Sequence, residues 1–125
     1  MIEVVLGLGA NCGDREKSLS DTLRWLGSFL CRFRHSAIYE TPCMGKEGAP
    51  YMNSVASGIY SGSLSSFSEI LKERERISGR DEACRQKGDV PIDIDIVICD
   101  GKVLKEWDFR QKFFRTGYEE LKEHF

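Results

Sequence analysis

Ile92-Asp93-Ile94-Asp95-Ile96 is the stretch whose reading decides how this chain folds. Isoleucine at every second position is the period of a β-strand with one face on an apolar core. The same period puts Asp93 and Asp95 together on the opposite face, with Cα atoms roughly 6.5 Å apart. Two carboxylates that close repel unless a positive charge sits between them. A hard divalent cation such as Mg²⁺ prefers oxygen ligands and often binds through one or two carboxylates plus substrate phosphates. The alternative is a solvent-washed strand face carrying two solubilising acids, and the surrounding sequence has to choose.

Working outward, Asp100-Gly101 is a turn into a short Val103-Leu104 segment, and the tail from about Phe109 to Phe125 reads as helical. Upstream of the acidic strand lies a basic stretch from Arg80 to Val90, preceded by a helix that Ser65 or Ser66 can cap. Glu69 is its capping-box partner, Phe67, Ile70, Leu71 and Ile77 its apolar face, and Gly79 its end. Tyr51 to Tyr60 and Phe33 to Tyr39 read as strands. Thr41-Pro42-Cys43-Met44-Gly45 and Gly48-Ala49-Pro50 make the loop between them too long for a tight hairpin. A first helix runs from about Arg15 to Cys31, with Leu19, Leu23, Leu26 and Leu30 along one face. A first strand, Glu3 to Leu8, breaks into the turn-forming run Gly7 to Asp14. The order β-α-β-β-α-β predicts an α+β chain, a ferredoxin-like sandwich with an antiparallel sheet and helices packed on it.

Length and charge bound the possibilities. The 125 residues predict a single domain over 1–125, large enough to bury roughly two thirds of its unfolded surface. No apolar run approaches a membrane span, and the N-terminus has neither the basic region nor the small-residue cleavage site of a signal peptide. A net charge of −2 offers no general footprint for nucleic acid or membrane. Five cysteines, an odd number without a C-x-x-C pair, argue against a disulfide framework and a zinc site. The expectation is a soluble cytoplasmic monomer whose partners are small molecules.

Four groups are candidates to join the acid pair. The run Gly7-Leu8-Gly9-Ala10-Asn11-Cys12-Gly13-Asp14-Arg15 could admit a ligand against its backbone before a helix N-terminus, or be only a strand-to-helix turn. Tyr39-Glu40-Thr41-Pro42 with Tyr51-Met52-Asn53 places an amide, able to donate and accept, where a flat heterocycle could meet it. Arg74, Arg76, Arg80, Arg85 and Lys87 carry enough charge for a polyphosphate, or form a solvated surface. Phe113-Phe114 offers a stacking ring or simply core.

Taken in order, these groups resemble one family, the 6-hydroxymethyl-7,8-dihydropterin pyrophosphokinases of folate synthesis, over roughly residues 3 to 121. The motifs are Gly9-Ala10-Asn11-Cys12-Gly13-Asp14-Arg15, Tyr39-Glu40-Thr41-Pro42 with Gly45, Tyr51-Met52-Asn53, Glu75 with Gly79-Arg80, and the Ile-Asp alternation. The resemblance implies transfer of a pyrophosphoryl group from the cosubstrate ATP to the hydroxymethyl group of a reduced pterin, releasing AMP. It implies two Mg²⁺ ions held by Asp93 and Asp95, with Arg80 beside them in the catalytic set. The pterin would meet Thr41, Pro42, Met44, Tyr51, Asn53 and Phe113, and the nucleotide Glu75, Arg80, Arg85, Lys87 and Arg110. Two departures stand out. Lys87-Gly88-Asp89-Val90 replaces the family's Trp-x-Pro-Arg, and the segment around Trp107 to Phe114 is shortened. Lys87, Arg85, Arg110 or Lys112 are the expected substitutes for the missing arginine. The alternative is a catalytically impaired homologue that binds a pterin or nucleotide without turnover.

Overall fold

A computed structural model describes residues 1–42, 50–79 and 91–122. Its described strands are β1 (Ile2–Ala10), β2 (Cys31–His35), β3 (Tyr39–Thr41), β4 (Tyr51–Tyr60), β5 (Asp93–Cys99) and β6 (Lys102–Val103). The described helices are α1 (Arg15–Gly27), α2 (Leu64–Ser78), α3 (Glu106–Arg110) and α4 (Lys112–Lys122). None of them is long and apolar enough to cross a membrane.

All strands join one sheet in the order β2-β4-β1-β5-β6, with β3 extending the edge beside β4. Every pairing is antiparallel. This is the expected α+β, ferredoxin-like arrangement. β1 lies between β4 and β5, so the strand made first becomes the centre.

One face of the sheet packs on α1 and α2. Its core takes Val4, Leu6 and Leu8 of β1, Leu19, Leu23 and Leu26 of α1, Phe67 and Leu71 of α2, and Ile92, Ile94 and Ile96. The other face is covered by α4 through a smaller core of Val5, Val55, Val97, Ile98, Phe114 and Leu121. Gly117 lets that helix down onto the sheet, since a Cβ there would lie 2.7 Å from Val55 Cγ2. A bulge makes the two cores compatible on β5. Val5 pairs with Ile98 and Leu6 with Ile96, leaving Val97 as the extra residue. Alternation therefore slips by one, and both Val97 and Ile98 face α4.

Several expected boundaries shift, each for a local reason. The glycines Gly7 and Gly9 lie inside β1, paired with Val55 and Asn53, so the turn begins only at Asn11. Helix α1 opens where the Asp14 carboxylate accepts from Lys17 N–H. It stops at Gly27 because Phe29 and Leu30 N–H both turn back to the Leu26 carbonyl. The expected second strand splits in two. Ser36 leaves the ladder yet stays bound to β4, its N–H donating to Val55 O and its hydroxyl accepting from Val55 N–H. Ser63, not Ser65 or Ser66, caps α2 by accepting from Ser66 N–H, and Ile77 is exposed on the last turn. The tail is two helices, divided at Gln111 where the backbone is extended.

The cysteine reading is corrected. Cys12 is disulfide-bonded, while Cys31 and Cys99 are free thiols. An odd total does not forbid a bridge, and the approach of two Cα atoms that permits one is tertiary information.

Candidate active site

Asp93 and Asp95 project from β5 on the face away from α1 and α2, as the isoleucine alternation requires. They stand on a ridge between two cavities, both of which they line.

The first cavity, of about 290 Å³, is lined by Gly9, Thr41, Pro42, Tyr51, Asn53, Trp107, Asp108 and Phe113 along with the two aspartates. Gly9 forms part of its floor. A Cβ at Gly9 would come within 3.3 Å of Tyr51 Cδ1 and 3.5 Å of Asn53 Oδ1, so glycine leaves the room these side chains use. Asn53 is buried on β4, and its Nδ2 donates to Thr41 Oγ1 at 2.7 Å. With the amide N–H₂ held by β3, Oδ1 is the atom left on the Gly9 side, an acceptor at the cavity floor.

The aromatic wall is held from below. Tyr39 O–H donates to Phe113 O at 2.5 Å and accepts from Gly117 N–H at 3.1 Å, tying β3 to the start and middle of α4. Burial is the main cause that pushes this phenol up to about 12, so it stays neutral and keeps both bonds. Phe113 sits 5.9 Å from the half-exposed Trp107 ring, and together they form one lip.

The second cavity, about 320 Å³, lies on the other flank of the acids, between α2 and the β6–α3 link. Ser68, Leu71, Lys72, Glu75, Leu104 and Lys105 line it. Glu75 accepts from Ile94 N–H at 2.8 Å, which fixes the end of α2 against the strand segment carrying the acids. Lys105 Nζ lies 2.5 Å from Asp95 Oδ1.

The electrostatics follow from this crowding. The Asp93 carboxyl keeps an exposed edge, yet the packed surround pushes it up to about 8, with the Asp95 charge and hydrogen bonds to Asp95 and Glu75 adding to the shift. Burial and the Asp95 charge also raise Asp108. The site concentrates negative charge, and the Lys105 ammonium is set directly against Asp95.

Thr41, Pro42, Tyr51, Asn53, Phe113, Asp93 and Asp95 are thus brought around one cavity, and Glu75 to its neighbour. Arg110 is not among the lining residues of either: it faces Glu106 at 3.7 Å on the exposed side of α3. Arg74 stacks over Trp25, and Arg76 pairs with Glu73. Met44, Arg80, Arg85 and Lys87 lie outside the described residues. Sequence reasoning missed Trp107, Asp108, Lys72 and Lys105. A lysine or tryptophan in a polar segment carries no local mark of what it will face.

Residues 5–122 match the family described as 7,8-dihydro-6-hydroxymethylpterin-pyrophosphokinase. The chain is 31% identical over 97 residues to a folate synthesis bifunctional protein of Arabidopsis thaliana. It is 33% identical over 97 residues to a folate synthesis bifunctional protein, mitochondrial, of the same plant. Each match covers 76% of this chain, and 20% and 17% of the respective relatives, so the chain spans about a fifth of their length.

Proposed function

Because this chain belongs to the 7,8-dihydro-6-hydroxymethylpterin-pyrophosphokinase family, we propose that it transfers a pyrophosphoryl group from ATP to 6-hydroxymethyl-7,8-dihydropterin. The observation that carries the reading is the acid pair on the ridge between two cavities. One cavity is lined by aromatic rings with an amide acceptor on its floor, which suits a pterin. The other is flanked by two lysines, which suits a polyphosphate.

The donor set fits Mg²⁺. Two carboxylates close enough to repel form a site that a hard cation relieves, and Asp93 and Asp95 would hold it. Among the described residues no cluster of three or more His, Cys, Asp or Glu side chains is placed to hold a metal. The remaining ligands would be phosphate oxygens and water. Bound there, the cation would neutralise the phosphate chain and orient it.

The protein's own part is alignment. Asn53 Oδ1 accepts from the polar edge of the pterin, and Tyr51, Phe113 and Trp107 enclose its ring. The hydroxymethyl oxygen then faces the acid ridge and the nucleotide beyond it. In the transfer, that oxygen bonds to the β-phosphorus, the β-phosphorus–bridging oxygen bond breaks, AMP leaves with the electron pair, and the hydroxyl proton passes to solvent. Lys72 and Lys105 balance charge on the nucleotide side, and Arg80, Arg85 and Lys87 are proposed to add to it.

The test is AMP release from ATP and Mg²⁺ with the pterin, in wild type and Asp95→Ala. Pterin-dependent AMP that the substitution lowers by at least about a hundredfold supports the reading. Pterin binding without AMP in the wild type would leave a binding protein, not a transferase.

A further inference from the structure

We infer that Lys105 is a phosphate-positioning residue held in reserve on Asp95: its ammonium occupies the acid pair until a divalent cation arrives, then turns to the phosphate chain. The inference rests on the proposed function, since it assigns a role within the same site.

The placement is specific. Lys105 is the first residue after the short β6–Leu104 segment, and its backbone is held on both sides. The carbonyl of the bulged Val97 accepts from Leu104 N–H at 2.8 Å and lies 3.4 Å from Lys105 N, while the Lys105 carbonyl accepts from Phe109 N–H at 2.9 Å. The bulge that reconciles the two cores therefore also sets the root of this side chain. Its tip meets Asp95 Oδ1 at 2.5 Å and lines the cavity of Lys72 and Glu75.

As a surface ion pair the contact would have little consequence: the side chains keep 47% and 24% of their exposure, and such pairs stabilise weakly. Its position matters more. An Asp95 oxygen engaged by ammonium has fewer lone pairs for a cation, so the two positive groups compete. Once a cation neutralises the carboxylate, the hold on Lys105 weakens. The nearest new partner for an ammonium lining that cavity is a phosphate oxygen. Among the described lining residues, Lys72 and Lys105 are the only basic ones.

Competition and phosphate binding predict effects of opposite sign in one variant. The full chain and Lys105→Met are compared by direct titration with Mn²⁺ alone, and with the Mg²⁺ complex of α,β-methylene ATP. Lys105→Met should bind Mn²⁺ several-fold more tightly, because the resident cation is gone. It should bind the nucleotide complex about tenfold more weakly, because a charge-assisted contact is lost. Lys105→Arg should recover most of the nucleotide affinity. Wild-type-like binding of both probes by Lys105→Met overturns the inference and leaves the proposed function intact. Weaker binding of both would make Lys105 a mere structural support and also overturns it. A wild-type chain that binds neither probe defeats the proposed function itself. Matching thermal midpoints for the three proteins without ligand establish that the half-exposed substitutions leave the fold unchanged.

Discussion

At the scale of the residue, Asp93 shows how packing converts an ordinary acid into a poised one. Its folded pKa is raised from 3.8 to about 8 by lost solvent, the Asp95 charge and shared hydrogen bonds. The unfolded chain gives up this proton near its ordinary value, so between the two values the folded state binds more protons. Stability from Asp93 is therefore complete below the unfolded value and is lost as pH rises toward 8. In EDTA, the thermal midpoint of Asp93→Asn should gain on the wild type steadily from pH 5 to pH 8, and Mg²⁺ should close the gap. A pH-independent gap would sink this account of the acid pair. The alternation of Ile92 to Ile96 made the shared face of the acids readable in the sequence, because strand period is a property of neighbouring residues. Glu75 was marked by its motif, whereas the neighbours Lys105 and Asp108 carried no such mark.

At the scale of the element, α4 is what turns a sheet face into a cavity, and Tyr39 is its fastening. Removing the hydroxyl in Tyr39→Phe deletes the two bonds, to the Phe113 carbonyl and from the Gly117 N–H, that tie β3 to this helix. The expected cost is about 1–3 kcal/mol in urea unfolding. Pterin affinity should fall as well, since Phe113 and its neighbour Trp107 lose their seat. The change can be followed by Trp107 fluorescence in a Trp25→Phe background, where Trp107 is the remaining tryptophan. Unchanged pterin affinity would mean that the aromatic lip is positioned by α3 alone. The tail was legible as helical, but not its division at Gln111 or its place over the second face. Both depend on Gly117 meeting Val55, a contact between residues 62 positions apart.

At the scale of the whole molecule, the sheet carries two unequal cores, and the larger one lies away from the cavity lined by the aromatics. Phe67 of α2 is fully buried in it against Phe29 and Tyr60. Phe67→Ala should cost about 3–5 kcal/mol in global unfolding. At temperatures where the variant is still folded, its pterin affinity should match the wild type, because that cavity is built on the other face. A parallel loss of affinity would show the two faces to be mechanically coupled.

What the sequence alone determined is what short-range periodicity and capping chemistry can encode: the strands and helices in order, the antiparallel α+β class, and two acids on one strand face. It also carried the ordered motifs that mark the family. The tertiary structure decided the rest, because the site is made of residues distant in the chain. Thr41 and Asn53 meet across a strand pair, Tyr39 reaches Phe113, and the Val97 bulge aims Lys105 at Asp95. Each of these is a pairing over a dozen to more than seventy positions, or a break in regular alternation. A local pattern records neither, since only closure of the sheet and packing of α4 bring the partners together.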